Sequence, residues 1–156
     1  MKISPAYPVS FRRRHLLGAS AALIGTVFVR PLRAAPGTLD AAIAEFARGA
    51  KVNAGKVKFE IAELIDNGNA VPITVSVESP MTDAIHVVAI AVFNEKNPQR
   101  EVIKTKLTPL AGRAQISTRI RLATSQKLTA IAELNDGTFY AQTVEVVVTL
   151  AACIEE

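Results

Sequence analysis

From Val71 to Val77 apolar and polar residues alternate strictly, Val71, Ile73, Val75 and Val77 against Pro72, Thr74 and Ser76. A period of two puts all four apolar side chains on one face of an extended chain. The same signal, or a short apolar run rich in β-formers, recurs at 57–61, 85–93, 102–107, 114–122, 128–134 and 139–150, about seven strands in all. Between them stand Asn67-Gly68-Asn69, Ser79-Pro80, Asn94 to Pro98, Pro109 to Gly112 and Asn135-Asp136-Gly137. These offer the positive or fixed φ that turns require, and Asp136-Gly137 is the strongest hairpin signal among them. Strands so closely spaced leave no room for the crossovers of a parallel sheet, which take a dozen or more residues. The pattern predicts an all-β fold, an immunoglobulin-like antiparallel β-sandwich. One cysteine and no tryptophan exclude the antibody-type disulfide and core Trp, neither of which the sandwich needs.

One helix precedes the strands. Thr38 is placed to cap a short helix over 39–49, with Asp40 in its first turn, Leu39, Ile43, Phe46 and Ala50 on one face and Gly49 at its end.

The net charge of +4 is unevenly spread. Of the 18 basic residues six (Lys2, Arg12, Arg13, Arg14, Arg30 and Arg33) lie in residues 1–34, which hold no acid; the remaining 12 face 14 acids, so residues 35–156 carry −2. The basic character therefore belongs to the leader and gives no reason to expect nucleic acid as a partner. A basic start, an apolar stretch from Leu16 to Val29 and small residues at Ala34-Ala35 read as an export signal. The stretch is shorter than the roughly 20 residues a membrane span needs, so no membrane anchor is expected after processing. Arg13-Arg14-His15-Leu16-Leu17 resembles the twin-arginine signature, whose route exports folded proteins; an ordinary secretory signal is the alternative. The expected organisation is a removed signal over 1–34, one sandwich domain over 35–156, a C-terminal cysteine arm at 151–156 and a periplasmic location.

Few chemistries fit residues 35–156. His86 is their only histidine, and no spacing of His, Cys, Asp and Glu suggests a metal site. At the start of an apolar strand, His86 reads as a structural residue. No G-x-S-x-G elbow or phosphate-cradling loop occurs, so no catalytic residue, metal or cofactor is assigned. Lys104, Lys106, Arg113, Arg119, Arg121 and Lys127 read first as a solvated face and second as a docking surface; so few aromatics argue against base stacking. Cys153 is the only cysteine and stands three residues from the end. An odd cysteine in an exported protein is either a reactive thiol or half of an intermolecular bond. A thiol-disulfide enzyme expects a second cysteine.

Four blocks, IDNGNAVPITVSVESPMT (65–82), FNEKNPQ (93–99), AGRAQISTRIRLATSQKLTAIAELNDGTF (111–139) and VVVTLAAC (146–153), in this order resemble SoxY, the sulfur-carrier family of the periplasmic thiosulfate-oxidising Sox system. The resemblance implies an immunoglobulin-like subunit paired with a SoxZ-like partner, whose C-terminal cysteine, here Cys153, holds sulfur intermediates. It implies no cofactor beyond those covalent intermediates, and no catalysis by the carrier. A cytochrome complex attaches thiosulfate, a hydrolase releases sulfate, and a sulfane dehydrogenase oxidises the remaining sulfur.

The family's usual ending is Gly-Gly-Cys-Gly-Gly, whereas this chain reads Ala151-Ala152-Cys153-Ile154-Glu155-Glu156. Alanine lacks glycine's freedom in φ, Ile154 adds bulk, and the glutamates oppose both thiolate formation and an anionic substrate. Three residues beyond Leu150 still give about 10 Å of reach. Beside the carrier stands an alternative: a SoxY-like binding or regulatory module that has lost cysteine loading.

Overall fold

A computed structural model describes residues 37–152; residues 1–36, with the expected export signal over 1–34, and Cys153 to Glu156 lie outside the described residues. The chain divides into Met1–Arg33 and Ala34–Glu156, and the description below concerns the second unit.

Among the described residues nine strands follow one α-helix: α1 (Leu39–Phe46), β1 (Val52–Ala54), β2 (Val57–Glu60), β3 (Leu64–Ile65), β4 (Val71–Val77), β5 (Val87–Asn94), β6 (Glu101–Lys106), β7 (Gln115–Ile120), β8 (Gln126–Leu134) and β9 (Phe139–Val148). They form an immunoglobulin-like sandwich. One sheet runs β1-β9-β8-β5-β6 with β3 also on β9; the other runs β2-β4-β7.

The alternation in β4 behaves as expected: Val71, Ile73, Val75 and Val77 are buried, and the residues between them are not. Pro72 sits where β2 has already ended, because β2 pairs only as far back as Thr74, so β4 there has a neighbour on one side only, which a residue without an N–H tolerates. The four apolar residues meet Ile90 and Val92 of β5, Leu128, Ala130 and Ala132 of β8 and Val146 of β9 in the core between the sheets. Burying each Val, Leu or Ile contributes roughly 1.5–3 kcal/mol.

Strands β5 and β8 are apolar runs because they are covered twice. Their outer face, with Ala91, Phe93 and Ile131, joins Phe139 of β9 under Leu39, Ile43 and Phe46 of α1. Phe46 stands edge-on to Phe93 and Phe139, with ring centroids 5.9 and 6.0 Å apart. Thr38 caps the helix as expected, its Oγ1 accepting from the Ala41 N–H at 3.2 Å.

The helix ends at Phe46, short of the expected 49. Arg48, not Gly49, is the first left-handed residue (φ 53°); its N–H donates to Glu45 O and that of Gly49 to Ala44 O, a Schellman end. Ala50 is exposed rather than on the packed face. The Arg48 guanidinium lies 5.3 Å from the Phe139 ring centre and binds Glu133. That carboxylate holds the Arg48 pKa above its ordinary value, first through the hydrogen bond and then through charge. Glu133 thus ties the turn that ends α1 to β8.

Two strands exceed the expected seven, and both depart from the antiparallel rule: β1 pairs parallel with the start of β9 and β3 parallel with its end. The segment expected from 85 begins pairing only at Val87, and the last strand ends at Val148 rather than 150. The hairpin at Asp136-Gly137 forms as expected, with Gly137 at φ 79° and Asp136 Oδ1 accepting from the Thr138 N–H and Oγ1 at 2.9 and 2.6 Å. Those bonds, the side-chain one foremost, lower the Asp136 pKa below its ordinary value.

Candidate functional site

The end of β9 is fastened residue by residue as it leaves the sheet. Val147 N–H donates to Glu63 O at 2.8 Å and Thr149 N–H to Ile65 O at 2.9 Å; the Thr149 hydroxyl reaches Asp66 O at 3.0 Å, and Val148 N–H donates to Ser125 Oγ at 2.9 Å. Beyond the strand, Leu150 O accepts from the Gly68 N–H at 2.8 Å, and the Ala152 N–H donates to Leu122 O at 3.0 Å. Ala152 is buried and Ala151 exposed. Of the expected arm over 151–156, the described part is therefore held against the sandwich, one residue short of Cys153.

Beyond Thr149 the partners come from two loops, β3–β4 and β7–β8, and a third loop braces the second. Asn97 Oδ1 accepts from the Ala123 N–H at 3.1 Å and from Gln126 Nε2 at 2.8 Å, while Asn97 Nδ2 donates to Arg121 O at 2.9 Å. Lys96 N–H donates to the buried Gln126 side chain at 2.8 Å. Residues 65–70, 94–97 and 121–126 thus converge with 148–152 at one end of the sandwich. Sequence reasoning read 67–69 and 94–98 as turns and carried a strand through 121–122; the signal that singles the three segments out is that parts of all four resembling blocks meet here.

Beside this root lies exposed apolar surface. Leu64 and Val147 face each other in the β3–β9 pairing and are 63% and 54% exposed, and Leu150 is 59% exposed.

His86 stands elsewhere. Its ring Nδ1 is 3.0 Å from Thr82 O and its N–H donates to Asn135 Oδ1 at 3.1 Å, next to the end of β8 where Val87 pairs with Leu134. Leu122 and Ala152 belong to the opposite end of that strand, about 25 Å away at roughly 3.3 Å per residue. The basic residues are scattered. Lys104 and Lys106 line a groove of about 480 Å3 beside α1, together with Arg100, Glu101 and Glu133. Arg119 is an exposed residue of β7 in the other sheet, and Arg121 lies past that strand's end. Among the described residues no three of His, Cys, Asp and Glu group as metal ligands would. No helix among them is long and apolar enough to cross a membrane. The remaining expected site residues, Arg13, Arg14, Leu16, Leu17, Cys153 and Ile154, lie outside the described residues.

Among solved structures, the sulfur carrier protein SoxY from Chlorobium limicola f thiosulfatophilum is 26% identical, with a TM-score of 0.58 over 72% of this chain and 97% of that one. A superoxide reductase (neelaredoxin) from Ignicoccus hospitalis is 18% identical, with a TM-score of 0.55 over 60% and 80% of the two chains. A putative superoxide reductase from Thermotoga maritima is 19% identical, with a TM-score of 0.51 over 66% and 89%. At those identities the likeness to the reductases is one of fold. No curated protein matches the chain. Residues 43–153 match the family described as sulfur oxidation protein SoxY, a span that takes in the second half of the helix, both sheets and the fastened root of the tail, and the chain belongs to that family.

Proposed function

We propose that this protein is a periplasmic carrier that holds sulfur-oxidation intermediates on Cys153 while separate enzymes act on them. The observation that carries the reading is the match of a SoxY carrier over nearly its whole length together with a family match that runs through Cys153. Loading joins the thiol to the outer sulfur of thiosulfate: Cys–SH and S2O3 2− give Cys–S–S–SO3−, one proton and two electrons, which the oxidising cytochrome takes up. Hydrolysis of the S–SO3 bond then leaves a persulfide, with water supplying the fourth oxygen of the sulfate. A sulfane dehydrogenase would oxidise the sulfur that remains.

Nothing in this scheme asks the carrier for a base, and His86 is a strand's length from the tail root. What it asks for is a thiol presented at the edge of a rigid body, which suits Cys153 directly after the fastened Ala152. The exposed Leu64, Val147 and Leu150 support a SoxZ-like partner seated next to the root, since apolar side chains grouped on a surface favour association. A twin-arginine signal would export the folded pair together.

The test is an intact mass after incubation with thiosulfate and the oxidising cytochrome of a Sox system, beside a homologue with the glycine-rich ending. A thiosulfonate on Cys153 is expected; its absence while the homologue loads overturns the carrier reading. The buried Ala152 favours one competitor, a binding module that has lost loading. In that case glycine at Ala151, Ala152, Ile154 and Glu155 creates loading that the native chain lacks.

A further inference from the structure

Gly68 spends both its backbone polar groups on other segments. Its N–H donates to Leu150 O at 2.8 Å, its C=O accepts from Leu122 N–H at 2.9 Å, and Leu122 C=O accepts from Ala152 N–H at 3.0 Å. The short stretch from Leu150 to Ala152 is therefore held at both ends, once by the β3–β4 loop and once by the β7–β8 connection, with Gly68 and Leu122 joined between them. Asn67 shapes the loop that delivers the glycine, its Oδ1 accepting from the Asn69 N–H at 2.9 Å.

The glycine is required for space. Gly49, Gly55, Gly112 and Gly137 have left-handed φ and nothing within 4 Å of an added Cβ; Gly68 is the reverse, with no such φ and a Cβ position 2.4 Å from Leu122 O, 3.0 Å from Ala152 N and 3.2 Å from Leu150 O. All three obstructing atoms are backbone and all three are members of the hydrogen-bonded set. A methyl group at residue 68 would enter the middle of the fastening, where no flexible side chain can move aside.

We propose that Gly68 is a positioning residue for the carrier thiol: by leaving room for Leu150, Ala152 and Leu122 to close around it, it latches the tail so that Cys153 departs from a fixed point on the rim. The consequence for loading rests on the carrier reading, whereas the latch does not. With the latch closed, the chain is fastened as far as Ala152. With it open, the chain is fastened last at Thr149, and residues 150–152 add about 10 Å of reach at 3.3–3.6 Å each. The latch thus separates a short, directed presentation of the thiol from a long one.

Two variants of the purified protein test this. Gly68→Ala fills the gap; Ala152→Pro keeps Gly68 and replaces the last donor with a ring that also fixes φ there. Because Cys153 is the sole cysteine, a nitroxide placed on it reports tail motion without further mutation. Exchange at the Ala152 amide is expected to rise at least tenfold in Gly68→Ala, and exchange at the Gly68 amide by as much in Ala152→Pro. The nitroxide spectrum should sharpen in both, while Ile90 and Ile131 amides stay within twofold. An Ala152 amide unprotected in the native protein, protection that survives Gly68→Ala, or equal loss at Ile90 and Ile131 in both variants overturns the proposal. The intact-mass assay reads the other question by itself: a native protein whose Ala152 is protected but which takes no thiosulfate removes the carrier reading and leaves the latch standing.

Discussion

Ala152→Gly should loosen the tail root by an amount that the structure sets. Ala152 is 7% exposed, so the substitution removes one nearly buried methyl group, worth about 0.8 kcal/mol by transfer. Glycine also gains freedom in the detached segment that alanine lacks, roughly 0.5–1 kcal/mol. The Ala152 N–H and its bond to Leu122 O are untouched, so the two terms act alone and in the same direction. Together they come to about 1.5 kcal/mol, close to a tenfold larger opening constant. Backbone amide exchange measures it, after correction for the different intrinsic rate of glycine. The amides of residues 152 and 68 should both speed up close to tenfold, since opening at Ala152 also releases Leu150 O from Gly68. Core amides such as Ile131 should follow less. A change below twofold at both positions, or an equal rise in the core, would refute the reasoning that the buried methyl holds the root.

Removing the helix cap by Thr38→Ala should cost about 1 kcal/mol, read as roughly fivefold faster exchange of the Ala42 and Ile43 amides while β8 amides hold. Asn97→Ala removes three hydrogen bonds that brace the β7–β8 connection, one of them to a buried Gln126. It should lower stability by about 1–3 kcal/mol in urea and carry the loss to the Ala152 amide, because Leu122 lies in that connection. At Asp136 the folded pKa lies below the unfolded one. Its contribution is therefore complete above the unfolded value and is lost as pH falls through the folded one. In urea melts taken at decreasing pH below about 4, Asp136→Asn should show the flatter fall in midpoint.

Much of the sandwich is written in the sequence because its signals are local. The alternation of β4, the Asp136-Gly137 turn and the Thr38 cap each depend on a few neighbouring residues. Strands β1 and β3 are three and two residues long, too short for a period to show. They exist because β9 is ten residues long and β8 covers one of its edges, which leaves the other edge to collect 52–54 at one end and 64–65 at the other. The tail root was illegible for a different reason. It is built largely from backbone hydrogen bonds, which leave no side-chain pattern, and the glycine at its centre, Gly68, reads as a turn glycine that needs positive φ. The structure gives that glycine an ordinary φ and a crowded Cβ position, a requirement of tertiary contact that no local reading supplies.

The alanines do not by themselves remove the chain from the carriers. Local openings run from microseconds to seconds against typical turnovers of about 1–1,000 per second, so a root closed tenfold more tightly than a glycine one limits loading only toward the slow end of that range. The stronger obstacle is charge. Glu155 and Glu156 follow Cys153 within three residues, and a carboxylate at about 7 Å from dianionic thiosulfate in water would raise its energy by roughly 1 kcal/mol. Screening with a Debye length of about 10 Å at 0.1 M salt halves that. Glu155→Gln with Glu156→Gln should therefore speed loading by the oxidising cytochrome about tenfold at 10 mM salt. The gain should fall below twofold at 1 M, where the Debye length is about 3 Å. Equal rates for native and double variant at both salt concentrations would show that the acidic end does not govern access of thiosulfate to Cys153, and would move the obstacle to the bulk of Ile154.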